Sequence, residues 1–180
     1  FLISPDGTSI SDAADFQAKP CYDQQALMRR YDVIKEICDS MIALGWGPYQ
    51  NDHEDANGQF EMNWEYDDCL KTADRHAFFK FMVKSIAEKH GLRATFMPKP
   101  FTNLTGNGCH AHVSLWSSSG ANMFDDEGGE LGLSPIAYNF IGGLIHPPGA
   151  LAARPKPRVD PYQRGKPPRA RPRAAMAPKN

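Results

Sequence analysis

The chain has 180 residues, with 20 Lys and Arg against 21 Asp and Glu and a formal net charge of −1. That length supports a domain with a real core, and the charge balance excludes an overall attraction to nucleic acid or to a membrane surface. No apolar run approaches the roughly 18 residues of a membrane span. The cysteines, Cys21, Cys38, Cys69 and Cys109, form no CxxC or CxxxxC pair. Such scatter fits reduced cytosolic thiols better than a disulfide framework or a zinc knuckle. Charge is uneven along the chain. From Arg154 onward the sequence is rich in Arg, Lys and Pro, with Asp160 as its only acid.

Residues 1–4, Phe-Leu-Ile-Ser, read as the tail of a buried strand, which suggests a chain that begins inside a domain. Pro-Asp-Gly-Thr-Ser at 5–9 predicts a loop. One helix is predicted from Asp23 to Leu44, with Leu27, Tyr31, Ile34, Ile37, Cys38, Met41 and Ile42 near the 3.6 period and Gly45 as its stop. Residues 48–66 predict a hairpin about Asn57-Gly58, the favoured pair for a type I′ turn. A second helix is expected from Asp68 to His90, with Leu70, Ala73, Phe78, Phe79, Phe81, Met82 and Ile86 on its apolar side and Gly91 just beyond. A strand at Ala94 to Met97 precedes Pro98 and Pro100, and a turn-rich loop runs from Thr102 to Gly108. His110 to Trp116 alternates as a strand, with Ala111, Val113 and Leu115 on one face and His110, His112 and Ser114 on the other. Cys109 then falls on the core side, and Trp64 and Trp116 read as packing residues. Pro135 to His146 predicts a third helix.

Two constellations carry chemistry. With Asn57 and Gly58 as a two-residue turn, Glu54 sits directly opposite Glu61, and Asp52 and Glu65 add negative charge to the same face. Like charges so placed destabilise a sheet. A cation, a shared proton or full exposure to water relieves them, and a hard divalent ion is the usual reason to gather oxygen ligands. The second constellation is His110-Ala111-His112. On a strand both imidazoles share a face, where one can ligate a metal and the other can meet an anion. Gly106-Asn107-Gly108 before them allows close approach of a ligand to the backbone.

The run Asn51-Asp52-His53-Glu54-Asp55-Ala56-Asn57-Gly58-Gln59-Phe60-Glu61 resembles the glutamine synthetase signature of a Glu followed by Gly-Gln-x-Glu. Lys99-Pro100 followed by Thr105-Gly106-Asn107-Gly108-Cys109-His110-Ala111-His112-Val113-Ser114-Leu115 resembles the same family's ATP-region signature. Order and separation also fit, over nearly all of residues 1–153, and the bacterial-type branch is the nearest in kind. The resemblance implies that Glu54 and Glu61 are ligands of one metal ion and His110 of a second, with His112 and Ser114 in contact with nucleotide. It implies that Gly106 belongs to the glutamate-binding loop and that Arg164, in Tyr162-Gln163-Arg164, holds the glutamate carboxylate. It further implies ATP and two Mg2+ (or Mn2+) ions per site, glutamate and ammonia as substrates, a double-ring homo-oligomer and a cytoplasmic enzyme. The expected reaction is phosphorylation of the glutamate γ-carboxylate, followed by displacement of phosphate by ammonia. Relatives that use methylamine or another amine need the same contacts, and a non-catalytic relative retained for assembly is the third alternative.

The family's Glu-x-Glu pair, its β-grasp domain and its final metal-ligand Glu are not in this sequence, so the chain reads as a catalytic-domain fragment that lacks activity by itself. The expected fold class is α+β, a curved, mainly antiparallel sheet backed by helices. Residues 1–153 form the partial catalytic domain, and 154–180 a divergent basic, Pro-rich segment. A tail of that composition also suits acidic partners or nucleic acid. The register of Lys156-Pro157-Arg158-Val159-Asp160-Pro161-Tyr162-Gln163-Arg164 favours the family's motif instead.

Overall fold

The computed structural model describes residues 1–146. Arg164 and the segment 154–180 lie outside the described residues. The chain divides into two units, 1–107 and 108 onward.

The first unit is built on two small antiparallel sheets and three helices. Strand β1 (Leu2–Ile3) pairs with β4 (Arg93–Ala94), Leu2 facing Ala94. Strand β2 (Pro48–His53) pairs with β3 (Phe60–Trp64), Asp52 facing Glu61 and His53 facing Phe60. Helices α1 (Gln24–Met28), α2 (Tyr31–Ala43) and α3 (Cys69–Lys89) supply the rest. This is the α+β class expected from the sequence. The core forms where Val33, Ile37 and Met41 of α2 meet Phe79, Met82, Val83 and Ile86 of α3, with Leu2 and Ala94 from the first sheet. Phe60, Met62 and Trp64 close it from β3, and the Trp64 ring lies 5.2 Å from that of Phe79. Each such side chain taken from water contributes about 1.5–3 kcal/mol.

Helix α3 has the termini the sequence predicts. Asp68 accepts hydrogen bonds from the Leu70 and Lys71 amides at 2.9 and 3.3 Å, and Gly91 takes φ +69° beyond the C-terminus. Its apolar face is narrower than expected. Phe79, Met82, Val83, Ile86 and Ala87 are buried, whereas Leu70, Ala73, Phe78 and Phe81 are exposed. The helix expected as one piece from Asp23 to Leu44 is broken at Arg29-Arg30. Arg29 pairs with Asp12 at 2.6 Å, and Arg30 donates to the Ser11 carbonyl, so both side chains are drawn to a loop distant in sequence. Strand β4 ends before the predicted Met97. The Met97 carbonyl instead accepts from Asn107 Nδ2 at 2.8 Å, which turns it away from a ladder.

In the second unit, Trp116 bridges Asn122 and Asp125 bridges Leu133 across short turns. A 3-10 turn (Glu130–Gly132) leads to α4 (Pro135–Ile145), which Ser134 caps by accepting from the Ala137 amide at 3.2 Å. The Phe124 and Phe140 rings pack 5.2 Å apart. The strand expected at 110–116 does not form, since no strand among the described residues pairs with it. Alternation assigns faces but supplies no partner. Cys109 and Trp116, expected in the core, are both exposed. All four cysteines are free thiols. Among the described residues no helix is long and apolar enough to cross a membrane.

Candidate metal-binding carboxylate site

The β2–β3 hairpin differs from its predicted form in register. Gln59 donates its amide to the Ala56 carbonyl at 3.0 Å, closing a turn through Asn57 and Gly58. Only Gly58 is left-handed there, at φ +69°. A type I′ turn needs positive φ at both central residues. The connection is therefore a loop of 54–59, held at its base by the Glu54 amide donating to the Gln59 carbonyl at 2.9 Å. Asp52, not Glu54, stands opposite Glu61.

The loop nevertheless brings Glu54 and Glu61 together. Their carboxyl groups hydrogen-bond each other, which raises the Glu61 pKa from 4.5 to about 7. Partial burial and the charges of Glu54 and Asp52 push in the same direction, and a hydrogen bond with Asn63 opposes them. A carboxyl pair of this kind retains one proton between its members. Glu54 also accepts the Asp55 amide at 2.9 Å. Of the three ways to relieve the repulsion, the raised Glu61 pKa favours a shared proton where no cation is bound. A hard divalent cation fits this donor set, because it is drawn to the same oxygens and displaces the proton. Glu54 and Glu61 are the pair that can hold it, and Asp52, which faces Glu61 across the strands, does not make a third ligand. Among the described residues, no cluster of three or more His, Cys, Asp or Glu side chains has metal-binding geometry.

Beneath the hairpin lies a buried pair that sequence reasoning missed. His53 is 0% exposed and Asp15 3%. His53 Nε2 lies 2.7 Å from Asp15 Oδ2, and Nδ1 lies 2.8 Å from the Glu54 carbonyl oxygen. The Glu54 carbonyl can only accept, so Nδ1 donates to it, while Nε2 and the Asp15 carboxyl share the second hydrogen bond. Asp15 also accepts from the Gly58 amide at 2.6 Å and from Asn57 Nδ2 at 3.0 Å. The one sequence signal was local: His53 alternates with Asp52 and so points to the core face. Nothing in the sequence around Asp15 marks it.

Gln59, inside the Gly-Gln-x-Glu run, is a second residue whose part in the site spacing alone does not reveal. Its side-chain oxygen accepts the Ala56 amide at 3.2 Å. Its Nε2 donates to the Gly106 carbonyl at 3.3 Å and to Asn107 Oδ1 at 3.0 Å. Thr105 Oγ1 donates to Asp55 Oδ2 at 3.0 Å. The Gly-rich loop through Gly106 is thus fastened to the loop that carries Glu54. In the second unit, His110 and His112 are exposed, and Ser114 Oγ accepts the Trp116 indole N–H at 2.9 Å.

Residues 5–177 match the family described as glutamine synthetase, catalytic domain. The chain belongs to that family. It is 66% identical over 179 residues to a glutamine synthetase of Rhizobium meliloti (strain 1021), a match covering 99% of this chain and 41% of the relative. It is 42% identical over 156 residues to a glutamate–methylamine ligase of Methyloversatilis universalis, covering 86% and 35% of the two chains. Among solved structures, ligand-free GmaS matches with a TM-score of 0.88 and 71% identity, over 91% of this chain and 39% of that one. Plasmodium falciparum glutamine synthetase matches with a TM-score of 0.70 and 29% identity, over 73% and 25%. The chain therefore spans about two fifths of the length of the first of these glutamine synthetase relatives.

Proposed function

We propose that this chain is part of an enzyme that uses ATP to join an amine to the γ-carboxylate of glutamate. The observation that carries the reading is the meeting of the Glu54 and Glu61 carboxyls, whose mutual repulsion a divalent cation would relieve. Glu54 and Glu61 are proposed as ligands of one Mg2+ or Mn2+ and His110 as a ligand of a second. His112 and Ser114 are proposed to contact ATP. Gly106 is assigned to the glutamate loop and Arg164 to the glutamate carboxylate, where its paired donors suit two oxygens. When bound, divalent cations screen the phosphate oxygens of ATP. The glutamate γ-carboxylate then attacks the γ-phosphorus, ADP leaves, and the amine displaces phosphate from the acyl phosphate. A carboxylate-lined pocket beside the cation would attract an ammonium ion and favour its deprotonation.

Ammonia as acceptor gives glutamine, the reading favoured by the 66% identity to the Rhizobium meliloti enzyme. Methylamine is the second reading, favoured by the 71% identity to GmaS, a γ-glutamylmethylamide synthetase, and by the likeness to the methylamine ligase. Phosphate release by the full-length protein, supplied with ATP, glutamate and Mg2+, separates the two when ammonia and methylamine are compared. Loss of turnover in Glu54→Ala and His110→Ala is expected. Full turnover in either variant would remove that residue from the site.

A further inference from the structure

A loop at the surface needs no buried charged group to hold it, and burying one is costly unless it is fully hydrogen-bonded. Loop 54–59 has such a support. From one position, the Asp15 carboxylate reaches both sides of the loop. Through His53 it reaches the Glu54 carbonyl at the entry, and it takes Gly58 N–H and Asn57 Nδ2 near the exit directly. The Glu54 main chain is thereby fixed twice, its carbonyl by His53 Nδ1 at 2.8 Å and its amide by the Gln59 carbonyl at 2.9 Å. Its side chain in turn accepts the Asp55 amide at 2.9 Å and meets Glu61.

We propose that Asp15 and His53 are a positioning pair, which sets the cation affinity of the Glu54–Glu61 site by fixing the Glu54 peptide. This rests on the reading of those two carboxylates as cation ligands. Partners that orient metal ligands typically change affinity by about 10- to 100-fold when removed.

Two substitutions at His53 separate positioning from simple support. The amide of Asn in His53→Asn can stand in for Nδ1 and still donate to the Glu54 carbonyl, but it leaves Asp15 unmatched. The longer side chain in His53→Gln can stand in for Nε2 and reach Asp15, but it releases the Glu54 carbonyl. Mn2+ binding to the full-length protein is measured by titration calorimetry, with the melting temperature recorded for each variant. Positioning predicts that His53→Gln loses about 10- to 100-fold in Mn2+ affinity and that His53→Asn loses less, even where His53→Asn is the less stable of the two. Wild-type affinity in His53→Gln, or the reverse order, overturns the proposal. Should neither variant accumulate, Asn57→Ala loosens only the far side of the brace. A weaker Mn2+ affinity there supports the proposal, and an unchanged one overturns it. Glu54→Ala is the control. Unchanged Mn2+ binding in Glu54→Ala defeats the cation reading and the positioning pair with it. Lost binding there, beside intact binding in His53→Gln, defeats the positioning pair alone.

Discussion

Glu54 lies two residues beyond the position that faces Glu61, yet the two carboxyl groups share a hydrogen bond. The pair is reached diagonally, from the first loop residue to the strand. Without a cation this arrangement stores repulsion. Glu61→Gln removes the second charge while keeping a hydrogen-bonding side chain. At about pH 8 and without divalent ions, the variant is expected to be more stable than the wild type by about 0.2–1 kcal/mol, the usual size of a like-charge cross-strand penalty. Thermal melting in the presence of a chelator checks this. The same variant should bind Mn2+ more weakly.

The pH dependence follows from the raised pKa. In the folded, metal-free protein the Glu61 carboxyl keeps its proton up to about pH 7, against an ordinary value of 4.5 in the unfolded chain. Its contribution to stability is fully present below about pH 4.5 and is lost as pH rises through about 7. The difference in melting temperature between wild type and Glu61→Gln should therefore widen, to the disadvantage of the wild type, from about pH 5 to 8. Saturating Mn2+ should narrow it. A difference that stays constant with pH would show that the carboxyls do not share a proton.

Gly58 is required by shape as well as by backbone conformation. A Cβ there would stand 3.0 Å from Ile10 Cβ and 3.1 Å from the Leu2 carbonyl oxygen, at a φ of +69°. Gly58→Ala is expected to destabilise the protein by about 1–3 kcal/mol, the cost of a strained left-handed residue. It should also weaken Mn2+ binding, because the Gly58 amide is one of the contacts made by Asp15. Melting temperature and Mn2+ titration on the same sample test both effects.

Met41 is completely buried between α2 and its neighbours. Met41→Ala is expected to cost about 2–5 kcal/mol through lost transfer energy and the cavity left behind. Its Mn2+ affinity, measured well below the melting temperature, should be unchanged. That separates core damage from damage to the carboxylate site.

What could be read without coordinates was local chemistry. Asp68 and Gly91 mark the ends of α3 because a capping carboxylate and a left-handed glycine act within a few residues. Asn57-Gly58 announces a turn for the same reason. The turn type was not legible, since Asn57 is held by Asp15 and by the Gln17 carbonyl, contacts about forty positions away in sequence. The break between α1 and α2 is set by Asp12 and Ser11, which no helical period can register. In the site, the gathering of acids about the turn was readable from charge, but the register was not: spacing set Glu54 opposite Glu61, where Asp52 stands. Asp15 was not, because a single acid in an irregular segment has no pattern until the chain folds over it. The alternation at 110–116 assigns faces but not the neighbour a strand requires, and no strand forms there among the described residues.

The brace beneath the hairpin also bears on chemical ageing. In an Asn-Gly sequence the next amide nitrogen can attack the side-chain carbonyl, closing a succinimide that releases ammonia and opens to isoaspartate. Here both reactants are restrained. The Gly58 N–H is committed to Asp15, and the Asn57 amide group donates to Asp15 and to the Gln17 carbonyl at 3.0 Å each. Attack requires both to turn out of those bonds together. The dipeptide that gives the loop its tight turn is thus protected in the folded molecule from the slow reaction to which it is open in an unfolded one.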